Sequence, residues 1–405
     1  MLTLLLPLVA LAQESDLDGE TITGDGSRPA VRVDAVPAQP ADIVVEQGDA
    51  KYPALVYAAA ESLSLEDDFL GGCWEATQLL YKRDYAGSKK AFKALDDAYP
   101  GRGVGGTGEV LIYQALMMEN FDFAYEQPYE MASDRTIKEL DFALKAQGND
   151  AWEHFLMGML MGVESVHTMR QEQWLPAISR GLEAVEHIDA SKRMAPGFKD
   201  PLMADGLFKY WRSAVALSSK AIPDGEDQRA EGMKDLMEAE RGSVFFGPGA
   251  SLALAFSYIE EGDLDQAKRY TRKNLRAYPT NVINGMVHSR VLIYQSQYDD
   301  ARKALDRVAA IDPDNKRVHY YYGTVFLRLK QPDEAEEHLT TYLSYDGLED
   351  YQLAGSYFRM GNCYWQRKDY DTAEKWYRKA VKADGHKGAK SRLDRIKEMR
   401  KDGRI

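Results

Sequence analysis

The sequence predicts an all-α chain, a solenoid of stacked helix pairs, on three observations. The alanines of Gly262-Asp-Leu-Asp-Gln-Ala267, Gln297-Tyr-Asp-Asp-Ala301 and Gln331-Pro-Asp-Glu-Ala335 stand 34 residues apart, and Pro279 and Pro313 repeat that interval. A fourth copy, Lys368-Asp-Tyr-Asp-Thr-Ala373, follows 38 residues later, with four residues inserted ahead of it. Small and large residues also fall at fixed places inside each unit, where two packed helices need them.

Aligning the prolines and alanines starts the units at Pro248, Val282, Lys316 and Ala354. The eighth position is then Ala255, Ser289, Gly323 and Gly361, and the twentieth is alanine in every copy. Both are small because the two helices of a unit cross there, and a bulky side chain would hold the backbones apart. The eleventh position, Tyr258, Leu292, Phe326 and Tyr364, fills the space beside the crossing. Pro279 and Pro313 end the second helix, since proline lacks the amide donor and clashes with the preceding turn. In the last two units Gly347 and Gly385 take that place. A helix–turn–helix unit of about 34 residues with these features resembles the tetratricopeptide repeat. The resemblance implies a right-handed α-solenoid over residues 248–385 and a non-enzymatic role in binding proteins.

The chain before the repeats reads in order. Met1-Leu-Thr-Leu-Leu-Leu-Pro-Leu-Val-Ala-Leu-Ala12 is expected to be a signal peptide, too short to span a bilayer and ending in a small-x-small site before Gln13. No lysine or arginine precedes its apolar run, and no cysteine closely follows it, which argues against a lipoprotein anchor. Export to a periplasm or medium is the expectation. Residues 13–50 hold nine acids and two bases, with Pro29, Pro37 and Pro40 and few large apolar residues. They read as a disordered acidic leader.

Residues 51–247 read as degenerate helix pairs. In 69–102, Ala76, Tyr85, Phe92 and Pro100 take the small, turn, apolar and stop positions, with Ser88 where alanine is usual. Further pairs are expected over 107–147, with a long turn around Gln127-Pro128, over 151–191 and over 199–242. Residues 386–405 carry eight bases and three acids, with an apolar stripe of Leu393, Ile396 and Met399. That suits a terminal cap, which has a neighbour on one side only. Docking on an anionic membrane surface is the alternative for this helix, weakened by Asp394, Glu398 and Asp402 among its bases.

The net charge of −13 argues against general nucleic-acid binding, which needs bases to neutralise phosphates. Cys73 and Cys363, the only cysteines, lie near opposite ends of the folded region and read as core residues rather than a disulfide. Gly101-Arg-Gly-Val-Gly-Gly-Thr-Gly108 contains G-x-G-x-x-G in two registers, but helix and proline precede it where a dinucleotide site needs a strand, so it reads as a turn. No zinc-protease H-E-x-x-H, no G-x-S-x-G elbow and no phosphate-binding G-x-x-x-x-G-K-[ST] loop occurs. In Trp152–His167 the pair Glu164 and His167, or the stripe of His154, Met157 and Met161, has the chemistry of a metal site. Helical metal sites need matching ligands on neighbouring helices, and no second E-x-x-H exists, so no cofactor or metal is assigned. A metal-binding protein or enzyme with its site in 103–247 stays as the rival reading.

The resemblance also implies a binding groove lined by positions 2, 5, 9, 12 and 13 of each first helix. Here these include Phe256, Arg290, Tyr294, Tyr320, Arg328, Phe358, Asn362 and Trp365. Aromatic and arginine side chains suit an extended peptide or a helix of a partner protein. Phe256 and Phe358 have packing between units as an equal alternative. The family's carboxylate clamp, lysine at position 5 with asparagine at position 9, is not expected, because only Asn362 matches it.

Overall fold

A computed structural model describes residues 50–147, 150–171, 173–218 and 226–405. The expected signal segment, and all of the expected leader but Ala50, lie outside them. Eighteen helices and no strand are present among the described residues. They run α1 (Ala54–Leu63), α2 (Asp67–Tyr81), α3 (Tyr85–Ala98), α4 (Val104–Asn120), α5 (Glu126–Gln147), α6 (Ala151–Arg170), α7 (Trp174–Met194), α8 (Pro201–Ser218) and α9 (Arg229–Gly242). The repeats supply α10 (Gly247–Glu260), α11 (Leu264–Ala277), α12 (Val282–Tyr294), α13 (Tyr298–Ile311), α14 (Lys316–Arg328), α15 (Pro332–Leu343), α16 (Asp350–Gln366) and α17 (Tyr370–Asp384). α18 (Lys387–Lys401) ends the chain. The described residues form two compact units, one of 50–117 and 124–281, the other of 118–123 and 282–405.

One backbone device sets the corner inside five of the pairs. Arg83, Gly262, Ser296, Lys330 and Lys368 all have φ between 57° and 77°. In each case the left-handed residue donates its N–H three residues back, and after Arg83, Ser296, Lys330 and Lys368 the next residue donates five back. Lys330 N reaches Leu327 O at 3.2 Å and Gln331 N reaches Phe326 O at 2.9 Å, while Arg83 and Asp84 bond Leu80 O and Leu79 O at 2.9 Å each. These bonds satisfy the last carbonyls of the first helix as it ends. Asp84, Asp263 and Asp369 then cap the second helix, accepting from Gly87, Gln266 and Thr372 N–H at 2.9–3.1 Å. The segment 69–102 is thus a repeat in backbone as well as in pattern.

The crossings are as tight as the small residues require. A Cβ added at Gly323 would lie 2.5 Å from Leu339, and one at Gly361 2.4 Å from the Tyr377 ring. Ser88 replaces alanine without loss, because its hydroxyl donates to Ala76 O across the crossing at 2.9 Å. Ser165 Oγ bonds Ala177 O in the same way between α6 and α7. In α8 and α9 the contact is glycine on glycine: a Cβ on Gly206 or Gly232 would meet the other's carbonyl oxygen at 2.7 or 2.6 Å.

Two expectations need correction. The glycine-rich stretch is a turn only over 101–103; from Val104 it is the start of α4. Its glycines admit close neighbours there, since a Cβ on Gly108 would strike Phe92 at 2.3 Å. The turn placed at Gln127-Pro128 falls instead at 121–125, and Pro128 sits in the first turn of α5, where its missing donor costs nothing. Cys73 and Cys363 are buried free thiols, both pushed up by burial, Cys363 to about 12.

Contacts distant in sequence hold the turns between repeats. In the first unit, Tyr278, Thr280 and Asn281 bond Gln78 Oε1, Lys82 O and Tyr81 O at 2.6, 2.7 and 3.3 Å. In the second, Asn315 donates to Glu119 O at 3.1 Å, Lys316 N–H to Asn120 Oδ1 at 3.0 Å, and Arg317 lies over Phe121 at 5.5 Å. Asn281 and Asn315 hold the same repeat position. Buried Asp200 accepts from the N–H groups of Val244, Phe245 and Phe246 at 2.7–2.9 Å, joining the start of α8 to the turn before α10. Burial raises its carboxyl to about 6 against the pull of those donors.

Two histidine pairs bridge helices, His154 to His187 between α6 and α7 and His319 to His338 between α14 and α15, with Nδ1 atoms 2.8 and 3.0 Å apart. Such a bond needs one ring to donate and the other to accept, so the acceptor is neutral. Burial lowers all four pKa values, helped at His154 and His338 by the partner ring.

Two outcomes follow from this geometry. Lys330→Gly removes the penalty of a side chain at positive φ and is expected to stabilise by about 0.5–1 kcal/mol in urea unfolding. For the histidines, a folded pKa below the ordinary 6.5 means that the unfolded chain takes up protons first. Their contribution is complete above about pH 6.5 and is lost as the pH falls below it. The drop in urea midpoint between pH 7.5 and 5.5 should therefore be smaller for His319→Gln/His338→Gln than for the native chain.

Candidate functional site

The positions expected to line a groove divide by burial. In the first unit Phe256 is half-buried on α10. In the second, Arg290 is buried on α12; its Nε donates to Tyr294 Oη at 2.8 Å and its guanidinium lies 5.3 Å over that ring. Tyr294 itself stays half-buried, held from behind by this pair. Arg328, one repeat further at the same thirteenth position, is also half-buried.

Tyr320 departs from expectation. It is fully buried, with the guanidinium of Arg359 stacked 4.3 Å from its ring centre. Arg359 donates in turn to Thr324 Oγ1 at 2.8 Å and Gly355 O at 3.0 Å. The reason is positional: Tyr320 stands where α14 faces α16, so the ring fills the space between two first helices. Phe358 is buried likewise, stacked on His386 at 4.5 Å beside the terminal helix. Packing, not a groove, is its place.

Asn362 accepts from Tyr377 Oη at 2.9 Å and remains half-buried. Trp365 meets Tyr370 edge-on at 5.1 Å, and Arg392 and Arg395 of α18 stand 4.7 and 5.5 Å from its ring. The terminal helix thus covers part of the last repeat's side chains, burying Ala389 and Ile396 against α17. Arg400 pairs with Asp371 and Glu374 at 2.6 and 2.5 Å. No helix among the described residues is long and apolar enough to cross a membrane.

The metal reading of 152–167 also changes. Met157 and Met161 are core residues packed with Trp152 and Phe155. Glu164, expected beside His167, pairs instead with Arg180 across to α7 at 2.9 Å. His167 faces α5, where Glu126 and Glu130 bring their carboxylates so that all three ligand atoms lie within 4.8 Å. Its imidazole is held down to about 4, by burial first and then by nearby Arg170, against the pull of Glu126. Sequence spacing does not join Glu126 and Glu130 to His167, because they lie on a different helix. The one signal there was their spacing of four, which puts both on one face.

Comparison with known proteins bears on the repeats. Tetratricopeptide-repeat family models match residues 250–281, 292–355 and 354–386. No curated protein sequence matches the chain. Among solved structures, a tetratricopeptide repeat protein from Parabacteroides merdae superposes with a TM-score of 0.41 at 12% identity, covering 70% of this chain and 97% of that one. A human IFIT1 dimer with PPP-AAAA superposes at 0.49 and 14% identity, covering 86% of each chain. Residues 250–386 thus carry tetratricopeptide repeats, a fold that generally serves as a protein–protein interaction scaffold.

Proposed function

We propose that the second unit binds a segment of a partner protein, an extended peptide or a helix, and does so without catalysis. The observation that carries this reading is the Arg290–Tyr294 pair. A half-buried ring whose hydroxyl and face are both held by a buried arginine loses little freedom on contact with a ligand. Arg328 repeats that position one unit along and adds a planar donor suited to a peptide carbonyl or carboxylate. Tyrosine and arginine are the residues that most often dominate binding energy at protein interfaces. The chain's charge of −13 supports a protein rather than a nucleic acid as partner. The cation–π stack of Arg359 on Tyr320 supports the surface from beneath without touching a ligand.

Selection of peptides from a random display library on residues 51–405 tests this. Enriched peptides should lose at least about 30-fold in affinity for Tyr294→Ala/Arg328→Ala, the equivalent of roughly 2 kcal/mol. Affinity unchanged in that variant would move the site elsewhere. The scaffold's place of work is proposed to be an exported or envelope complex, on the strength of the apolar segment before Gln13. Expressed in a bacterium with its first twelve residues, the mature protein should begin at Gln13 by N-terminal sequencing. Recovery from the cytosol with Met1 in place would overturn that placement.

A further inference from the structure

We propose that Glu126, Glu130 and His167 form a binding site for a divalent transition metal of the zinc type, which ties α5 to α6. The two acids stand one helical turn apart at the start of α5, and His167 lies in the last turn of α6. The site therefore spans two helices, as metal sites inside helical arrays do. Its histidine is only 2% exposed, so the imidazole is anchored within the protein while the exposed Glu130 gives access from solvent.

The distances fit a modest closure. His167 Nε2 stands 3.7 Å from Glu126 Oε1. Ligand atoms bonded at about 2.0–2.1 Å to one tetrahedral ion are roughly 3.4 Å apart, so this pair needs to move by only a few tenths of an ångström. Glu130, being exposed, reaches the same point by turning its side chain. Water would complete the four positions. Two further groups flank the site. Gln171, one turn beyond His167, donates its side-chain amide N–H to Glu126 Oε1, and that nitrogen lies 3.4 Å from His167 Nε2, so an entering ion displaces the amide. The Tyr129 ring packs 4.4 Å from the imidazole centre. It restrains the imidazole from outside the site, the role second-layer groups play around bound metals.

The ligand chemistry selects the class of ion. One imidazole with two carboxylates suits zinc and its neighbours, whereas calcium and magnesium favour all-oxygen sets. Arg170 lies close enough to act electrostatically on His167, opposed by Glu126. Glu164 stays out of the site through Arg180. A bound ion would fasten the start of α5, just past the turn at 121–125, to the end of α6, and so stiffen this part of the first unit.

The test uses untagged full-length protein stripped with chelator and titrated with cobalt(II) and zinc(II) in a calorimeter and a spectrophotometer. One equivalent of cobalt should bind with a visible absorption band, zinc should displace it, and zinc should raise the melting temperature. Because His167 is buried, Glu130→Gln is the primary variant. It should leave the melting of metal-free protein unchanged and weaken zinc binding at least 10-fold, and His167→Gln should abolish binding. Absence of stoichiometric binding would overturn the proposal. So would zinc affinity unchanged in Glu130→Gln, or a response to calcium or magnesium equal to that for zinc.

Discussion

The close crossing of two helices within each pair is the constraint on which the rest of this structure depends. Where Gly323 meets Leu339 and Gly361 meets Tyr377, even one added carbon would collide. Such contact brings many atoms into dispersion range, and it buries Ala267, Ala301, Ala335 and Ala373 completely. It also demands a corner short enough to send the second helix straight back. The left-handed residue at Arg83, Ser296, Lys330 and Lys368 makes that corner in two bonds, and Gly262 makes it with its bond to Ile259 O. Arginine, serine and lysine accept the strain there because a tightly crossed pair overdetermines the backbone.

With the crossings made, the first helices face one another and their side chains decide what remains for binding. Much of that face is polar yet buried. Arg359 rests on Tyr320, Arg290 holds Tyr294, and Arg317 lies over Phe121 and Tyr321. A guanidinium is tolerated in such places because its planar charge stacks on rings while its N–H groups find oxygen acceptors. The aromatic residues thus serve two ends. Tyr320 and Phe358 fill space between helices, while Tyr294 and Arg328 keep part of their surface toward solvent. Near the end of the last repeat, α18 lays arginines on the half-buried Trp365, so that aromatic is partly taken up by the terminal helix.

In the first unit the same architecture is built with different means. Ser88 and Ser165 replace small apolar residues by bonding a carbonyl across the crossing, and Gly206 faces Gly232. Asp200 organises three consecutive N–H groups ahead of α10. These devices let the pairs before residue 250 cross closely without the regular spacing of the later repeats. Each solves the problem of close approach locally, so no common spacing needed to be kept.

The sequence by itself determined the repeat. Periodic alanines, small eighth positions and stop residues are local necessities of a two-helix unit, and local necessities leave a regular mark. It also placed the terminal helix and the free, buried cysteines, since amphipathic spacing and burial within a unit are local as well. Only the tertiary structure decided which side chains share a surface. That Tyr320 lies under an arginine 39 residues further on, and that His167 turns to Glu126 and Glu130 rather than to Glu164, depends on how neighbouring helices are rotated. The ties from Asn281 to Tyr81 and from Asn315 to Glu119 join residues 200 and 196 positions apart, a distance at which spacing carries no signal. Periodicity reports what one unit requires of itself; what units require of each other appears only when the helices are packed.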